Sequence, residues 1–97
     1  MKNIVYPAIF EKDSDIYNVR FIDLDGCYTF GNTIENAIDM AKEAMGLYLD
    51  DIAIEEMPKA TIPFNHIKLK ENEFITLISL NLDEYKGKND NKVIKRK

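Results

Sequence analysis

Two carboxylates one residue apart, Asp23 and Asp25, stand just before Gly26 and form the first grouping in this chain with chemical potential. Such a pair can hold a divalent cation for phosphodiester hydrolysis when further carboxylates complete the shell. The spacing is not that of a calcium loop, which needs a third oxygen ligand and a distant glutamate. The plainer reading, which we prefer, is that both residues shape and solvate a turn. His66 is the only histidine and Cys27 the only cysteine. A nucleophilic dyad would need the two within hydrogen-bond reach, and no motif suggests it. Cys27 reads instead as a small apolar group facing the interior. There is no glycine-rich phosphate loop, zinc spacing or serine elbow. We therefore expect no catalytic residue, no metal site and no cofactor. Tyr28, next to the acidic turn, is suited to anchor a protein interface if exposed.

The elements that position these residues follow from periodicity. Lys2 to Phe10 sets Ile4, Tyr6, Ala8 and Phe10 against Val5, Pro7 and Ile9, the period-two pattern of a strand. Pro7 has no N–H for a ladder, which points to an edge strand or an outward-facing position. Glu11 to Asp15 then turns the chain. Ile16 to Ile22 is a second strand, Asp23 to Gly26 a tight turn, and Cys27 to Phe30 a short third strand ended by Gly31 and Asn32. Three strands with short links read as an antiparallel meander. Thr33 is a natural N-cap, with Glu35 in the first turn where the helix dipole favours an acid. Asn32 with Glu35 offers an alternative capping box. Ile34, Ala37, Ile38, Ala41, Ala44, Met45, Tyr48 and Ile52 fall on one helical stripe, opposite Glu35, Asp39, Lys42, Glu43 and Asp50. Gly46 interrupts this helix, and its residue type alone gives no reason for it. Pro58 ends any continuation, and Pro63 keeps the following irregular stretch extended. Phe74 to Leu82 is a fourth strand, apolar on both faces, which places it centrally in the sheet.

Size and charge bound the function. A 97-residue chain with 45% hydrophobic residues fits one core, and a domain of this size buries roughly two-thirds of its unfolded surface. One cysteine excludes an internal disulfide framework and agrees with a reducing cytoplasm. Ile4 to Phe10 is too short, and too broken by Pro7, to act as a signal peptide. No apolar run approaches the ~20 residues that cross a bilayer. The net charge of −4 conceals a division. Residues 86–97 hold six basic groups (Lys86, Lys88, Lys92, Lys95, Arg96, Lys97) and the acid Asp90, a net of +5, and the other 85 residues hold seven basic and sixteen acidic groups, a net of −9. An acidic body suits a cationic partner, and a basic end suits a polyanion or simple solvation. We expect a folded unit over residues 1–85 and a basic flexible tail over 86–97. Lys92, Lys95, Arg96 and Lys97 are the candidate nucleic-acid contacts. An exposed edge strand or a shared sheet face leads us to expect a homodimer or higher oligomer.

Several of these residues together resemble a known family. Tyr6-Pro7-Ala8 in the first strand is followed by Phe21-x-Asp23-x-x-Gly26-Cys27-x-Thr29-x-Gly31-x-Thr33 and by a helix carrying Ala37, Ala41 and Ala44 before Tyr48-Leu49. With Pro63 before an extended last strand, the pattern is similar to that of HicB-type antitoxins over approximately Ile4 to Leu82. It departs at Asp25, where members often carry proline, so the turn gains a charge and loses rigidity. The resemblance implies an α+β fold in β-β-β-α-β order, an antiparallel sheet with one long helix packed on it, like a reduced ribonuclease-H fold without its catalytic carboxylates. It implies a HicA-type toxin as partner, a small basic ribonuclease that cleaves messenger RNA. It also implies that longer members contact DNA through a C-terminal domain, to which residues 86–97 would be the linker. On this reading Asp23, Asp25 and Tyr28 face the toxin. The competing readings are a nucleic-acid binder acting through the basic tail and a metal-dependent nuclease using Asp23 and Asp25.

Overall fold

The computed structural model describes residues 3–63 and 65–83. Four strands, β1 (Asn3–Asp13), β2 (Ile16–Phe21), β3 (Tyr28–Gly31) and β4 (Glu73–Asn81), form one antiparallel sheet in the order β3-β2-β1-β4. Helix α1 (Ile34–Leu49) crosses from β3 back over the sheet, and a single 3₁₀ turn (Ile54–Glu56) follows it. The meander and the β-β-β-α-β order agree with the periodicity. The basic tail expected over residues 86–97, with Lys92, Lys95, Arg96 and Lys97, lies outside the described residues.

Three details differ from expectation. The first strand does not end at Phe10; its ladder with β2 continues to the pair Asp13↔Ile16, leaving Ser14 and Asp15 as the connection. Ser14 supplies the reversal with φ 56, a conformation that costs a side-chain-bearing residue some strain. The first strand is also central, despite Pro7. Ala8↔Phe21 is the last pair of β1 with β2, so Pro7 lies one residue past that ladder, and its carbonyl still accepts from Ile22 N–H at 3.4 Å. The missing donor therefore costs little there. Conversely, β4 lies at the edge, paired with β1 alone. Its two apolar faces do not mark a central strand: one face packs under α1, and the other holds Leu77 half exposed to solvent.

The helix starts where its cap dictates. Thr33 Oγ1 accepts from Asn36 N–H at 3.0 Å, and Asn36 Oδ1 accepts from Asn32 N–H at 3.0 Å. The partner in this reciprocal cap is thus Asn36, not Glu35. Ala37, Ala41, Met45, Gly46 and Leu49 form the buried row of α1, whereas Ile34 is exposed and Ile52 lies beyond the helix end. Gly31 sets the close approach of β3. A Cβ there would lie 2.8 Å from the Asn36 carbonyl carbon and nearer still to the Ala37 backbone. Under the helix lie Tyr6, Ala8, Phe10, Val19, Phe21 and Ile78, with Phe74 against Phe10 at a ring separation of 5.3 Å.

Candidate functional site

The register divides the sheet into two faces that differ in cover. Alternation places Tyr6, Ala8 and Phe10 toward α1, so Val5, Pro7, Ile9 and Glu11 point the other way. Asn18 and Arg20 of β2, Tyr28 and Phe30 of β3, and Glu73, Ile75 and Leu77 of β4 share that second face through the cross-strand pairs. No helix covers it among the described residues. Tyr28 is 69% exposed and Phe30 56%, a large aromatic surface to leave in water.

A polar pair is set into this face, which is buried in its middle at Pro7, Ile9 and Glu73 and exposed at Tyr28, Phe30 and Leu77. Arg20 Nη1 donates to Glu73 Oε2 at 3.0 Å, and Lys70 N–H donates to Glu73 Oε1 at 2.8 Å. The Glu73 side chain is buried while Arg20 remains partly exposed. The Lys70 amide, and after it the Arg20 guanidinium, hold the Glu73 carboxyl below its ordinary range against the opposing effect of burial. Lys70 Nζ lies 3.6 Å from Glu11 Oε2. Beside these groups a depression of about 280 Å³ is lined by Glu11, Asn18, Val19, Arg20, Tyr28 and Thr29. It offers an aromatic wall, a carboxylate and a guanidinium, the mixture found at the anchoring points of protein interfaces.

The acidic turn does different work. Asp23 Oδ2 accepts from Thr61 N–H at 2.9 Å, and Asp23 Oδ1 accepts from the Thr61 hydroxyl. Close by, the Tyr6 hydroxyl donates to the Pro58 carbonyl. Burial, and then the nearby Asp23 charge, raise the Tyr6 pKa. Since Tyr6 faces α1, Asp23 stands on the helix side of the sheet and ties down the segment 58–63, in which Ile62–Pro63 is a cis peptide. Asp25 is exposed at the turn tip, and Gly26 supplies the turn's positive φ of 81°. The structure therefore does not gather Asp23, Asp25 and Tyr28 into one patch: Asp23 is committed to Thr61, and Tyr28 belongs to the opposite face. Cys27 is buried and its thiol pKa is raised by that burial, while His66 sits exposed in a turn. Among the described residues no three His, Cys, Asp or Glu side chains converge as metal ligands. No helix among them is long and apolar enough to cross a membrane.

Sequence reasoning missed Phe30, Arg20 and Glu73 as members of this surface. Phe30 was legible, because it shares Tyr28's face two residues on. Arg20 and Glu73 were not, being 53 residues apart and joined only by sheet pairing.

Comparison with known proteins decides the family. Residues 6–94 match the model described as HicB_like antitoxin of bacterial toxin-antitoxin system. The chain is a HicB-like antitoxin family member. A 14.9 kDa protein of the rep-hol intergenic region of Haemophilus phage HP1 (strain HP1c1) is 30% identical to this HicB-like chain over 89 residues, 88% of this chain and 67% of the relative. Among solved structures, the toxin-antitoxin complex from Streptococcus pneumoniae has a chain with TM-score 0.70 and 24% identity, covering 87% of this chain and 73% of that one. A chain of the HicA3 and HicB3 toxin-antitoxin complex has TM-score 0.62 and 26% identity, covering 76% and 94% respectively. The expected α+β HicB fold is thus the observed one, and the family resemblance carried by the Phe21-to-Thr33 pattern holds.

Proposed function

We propose that this chain binds and neutralises a HicA-type, messenger-RNA-cleaving toxin by occluding the toxin's RNA-binding surface, making and breaking no bonds itself. The observation that carries the reading is the family match over residues 6–94, and the likeness to a chain of a HicA3–HicB3 complex supports it. Physical chemistry supports it independently. RNA and an acidic protein body present dense negative charge alike, so the body, at a net of −9, can compete for one cationic surface. Exposed acids on and after α1 (Glu35, Asp39, Glu43, Asp50, Asp51, Glu55, Glu56) and Asp25 supply the field, and Tyr28 on the open face supplies an aromatic anchor. Cys27 as a free thiol suits a cytoplasmic setting. In longer forms the same module would contribute to repression of its operon through a DNA-binding domain.

The direct experiment is a ribonuclease assay of the cognate toxin titrated with the purified chain. Cleavage should cease near stoichiometric ratio. A toxin that stays fully active at saturating antitoxin, or a purified chain that hydrolyses RNA unaided, overturns the reading. The +5 charge of residues 86–97 favours a second, separable role in contacting a polyanion. A gel shift of the whole chain against one lacking these residues tests it, with a log–log salt slope of about −0.9 per phosphate contacted on duplex DNA.

A further inference from the structure

We propose that the depression on the second face of the sheet receives an arginine side chain of the partner protein, with Glu11 binding the guanidinium and Tyr28 forming the wall on which it stacks. The partner's basic character is taken from the antitoxin reading; everything else rests on the sheet. Cross-strand pairing sets Glu73, Glu11, Asn18 and Phe30 in one row across the face, beside a second row that holds Ile9, Arg20 and Tyr28. Asn18 is short where Phe30 and Glu11 on either side are long. The hollow of about 280 Å³ opens there, against Arg20 and Tyr28.

Charge along the first row is answered unevenly. Glu11 and Glu73 are directly opposed on neighbouring strands, and like charges so placed repel. Glu73 is well served, by Arg20 reaching across Ile9 at 3.0 Å and by the Lys70 amide at 2.8 Å. Among the described residues the cation near Glu11 is Lys70 Nζ, at 3.6 Å. That exceeds the length of a charge-assisted hydrogen bond, about 2.7–2.9 Å. The lysine side chain is also 70% exposed, so water competes for it. A carboxylate with so loosely held a partner, at the side of a hollow, can exchange it for a better-placed cation.

The lining selects a guanidinium over an ammonium. Tyr28 is largely exposed and offers a ring on which a planar cation stacks. The Asn18 amide oxygen is a second acceptor beside the Glu11 carboxylate. A rigid fork of N–H donors can meet two acceptors at once, whereas an ammonium is a point charge with a larger hydration cost. Arg20 does not oppose such a guest strongly, because Glu73 already neutralises it. A phosphate or carboxylate would instead meet Glu11 and be repelled, so the hollow does not suit a polyanion.

Amide chemical shifts of the full chain, titrated with N-acetyl-arginine amide at constant ionic strength, test this directly. A single side chain should bind in the millimolar range, with saturable shifts centred on Asn18, Tyr28 and Thr29. N-acetyl-lysine amide should shift the same residues at least threefold more weakly. Glu11→Gln and Tyr28→Leu should each abolish the arginine response. Both variants should fold, since Tyr28 is exposed and Glu11→Gln removes the repulsion from Glu73. Glu11→Gln should also weaken binding of the cognate toxin about tenfold, mainly through faster dissociation, as loss of a charge-assisted hydrogen bond does. Shifts confined to the acids of α1, an equal response to lysine, or an arginine response that survives in Glu11→Gln overturns the proposal. So does a Glu11→Gln variant that binds toxin as the wild type does, and that result leaves the antitoxin reading standing. A toxin that the wild-type chain does not bind would defeat the antitoxin reading instead, while the arginine titration still decides what the hollow accepts.

Discussion

Glu73 is buried yet ionised, because the Lys70 amide and Arg20 replace the water it loses. Its carboxyl pKa is lower folded than unfolded, so it adds stability above the unfolded value of about 4.3, and that contribution disappears as pH falls through the folded value. Urea midpoints measured from pH 7 down to pH 3 should therefore fall more steeply for the wild type than for Glu73→Gln. At pH 7, Glu73→Gln should already cost about 1–3 kcal/mol through imperfectly satisfied buried groups. Equal pH slopes for the two proteins would show that this carboxylate is not the acid-sensitive group. Asp23 has a comparable local duty toward Thr61, so charge reversal there disturbs segment 58–63 as well as any docking surface. Asp25 is the cleaner probe of partner contact.

The contact between β3 and α1 leaves no room for a side chain at Gly31. Gly31→Ala would drive a methyl group into the backbone of Asn36 and Ala37, which have no side-chain freedom with which to yield. Overpacking of this kind costs about 1–3 kcal/mol, and the strain should appear as a lowered Tm with loss of order centred on the helix start in amide exchange. Thr33→Ala removes only the cap acceptor for Asn36 N–H and should cost about 1 kcal/mol. If Gly31→Ala proves no more harmful than Thr33→Ala, the close approach is not limiting.

At the scale of the whole molecule, charge is distributed unevenly, with exposed acids concentrated on and after α1 and the open sheet face nearly neutral through its Arg20–Glu73 and Lys70–Glu11 pairs. The acidic body should steer a cationic toxin over a distance, while the neutral aromatic face contributes after contact. Association with the toxin should slow as ionic strength rises, because screening shortens to about 8 Å at physiological salt. Asp25→Lys should mainly lower the on-rate, and Tyr28→Ala should mainly raise the off-rate. Stopped-flow association at several salt concentrations checks both, and rates that ignore salt would count against electrostatic steering.

From residue order alone came the strand and helix periods, the Thr33 cap, the inward Cys27 and the family pattern, because each depends on neighbours within a few positions. Only the folded chain decided that β1 rather than β4 is central, that Asn36 completes the cap, and that Asp23 serves Thr61. It alone also brought Arg20 to Glu73 and Tyr28 to one face with Leu77. These depend on which strands pair and in what register. A period-two pattern gives each strand two faces, but pairing between strands tens of residues apart decides what each face meets.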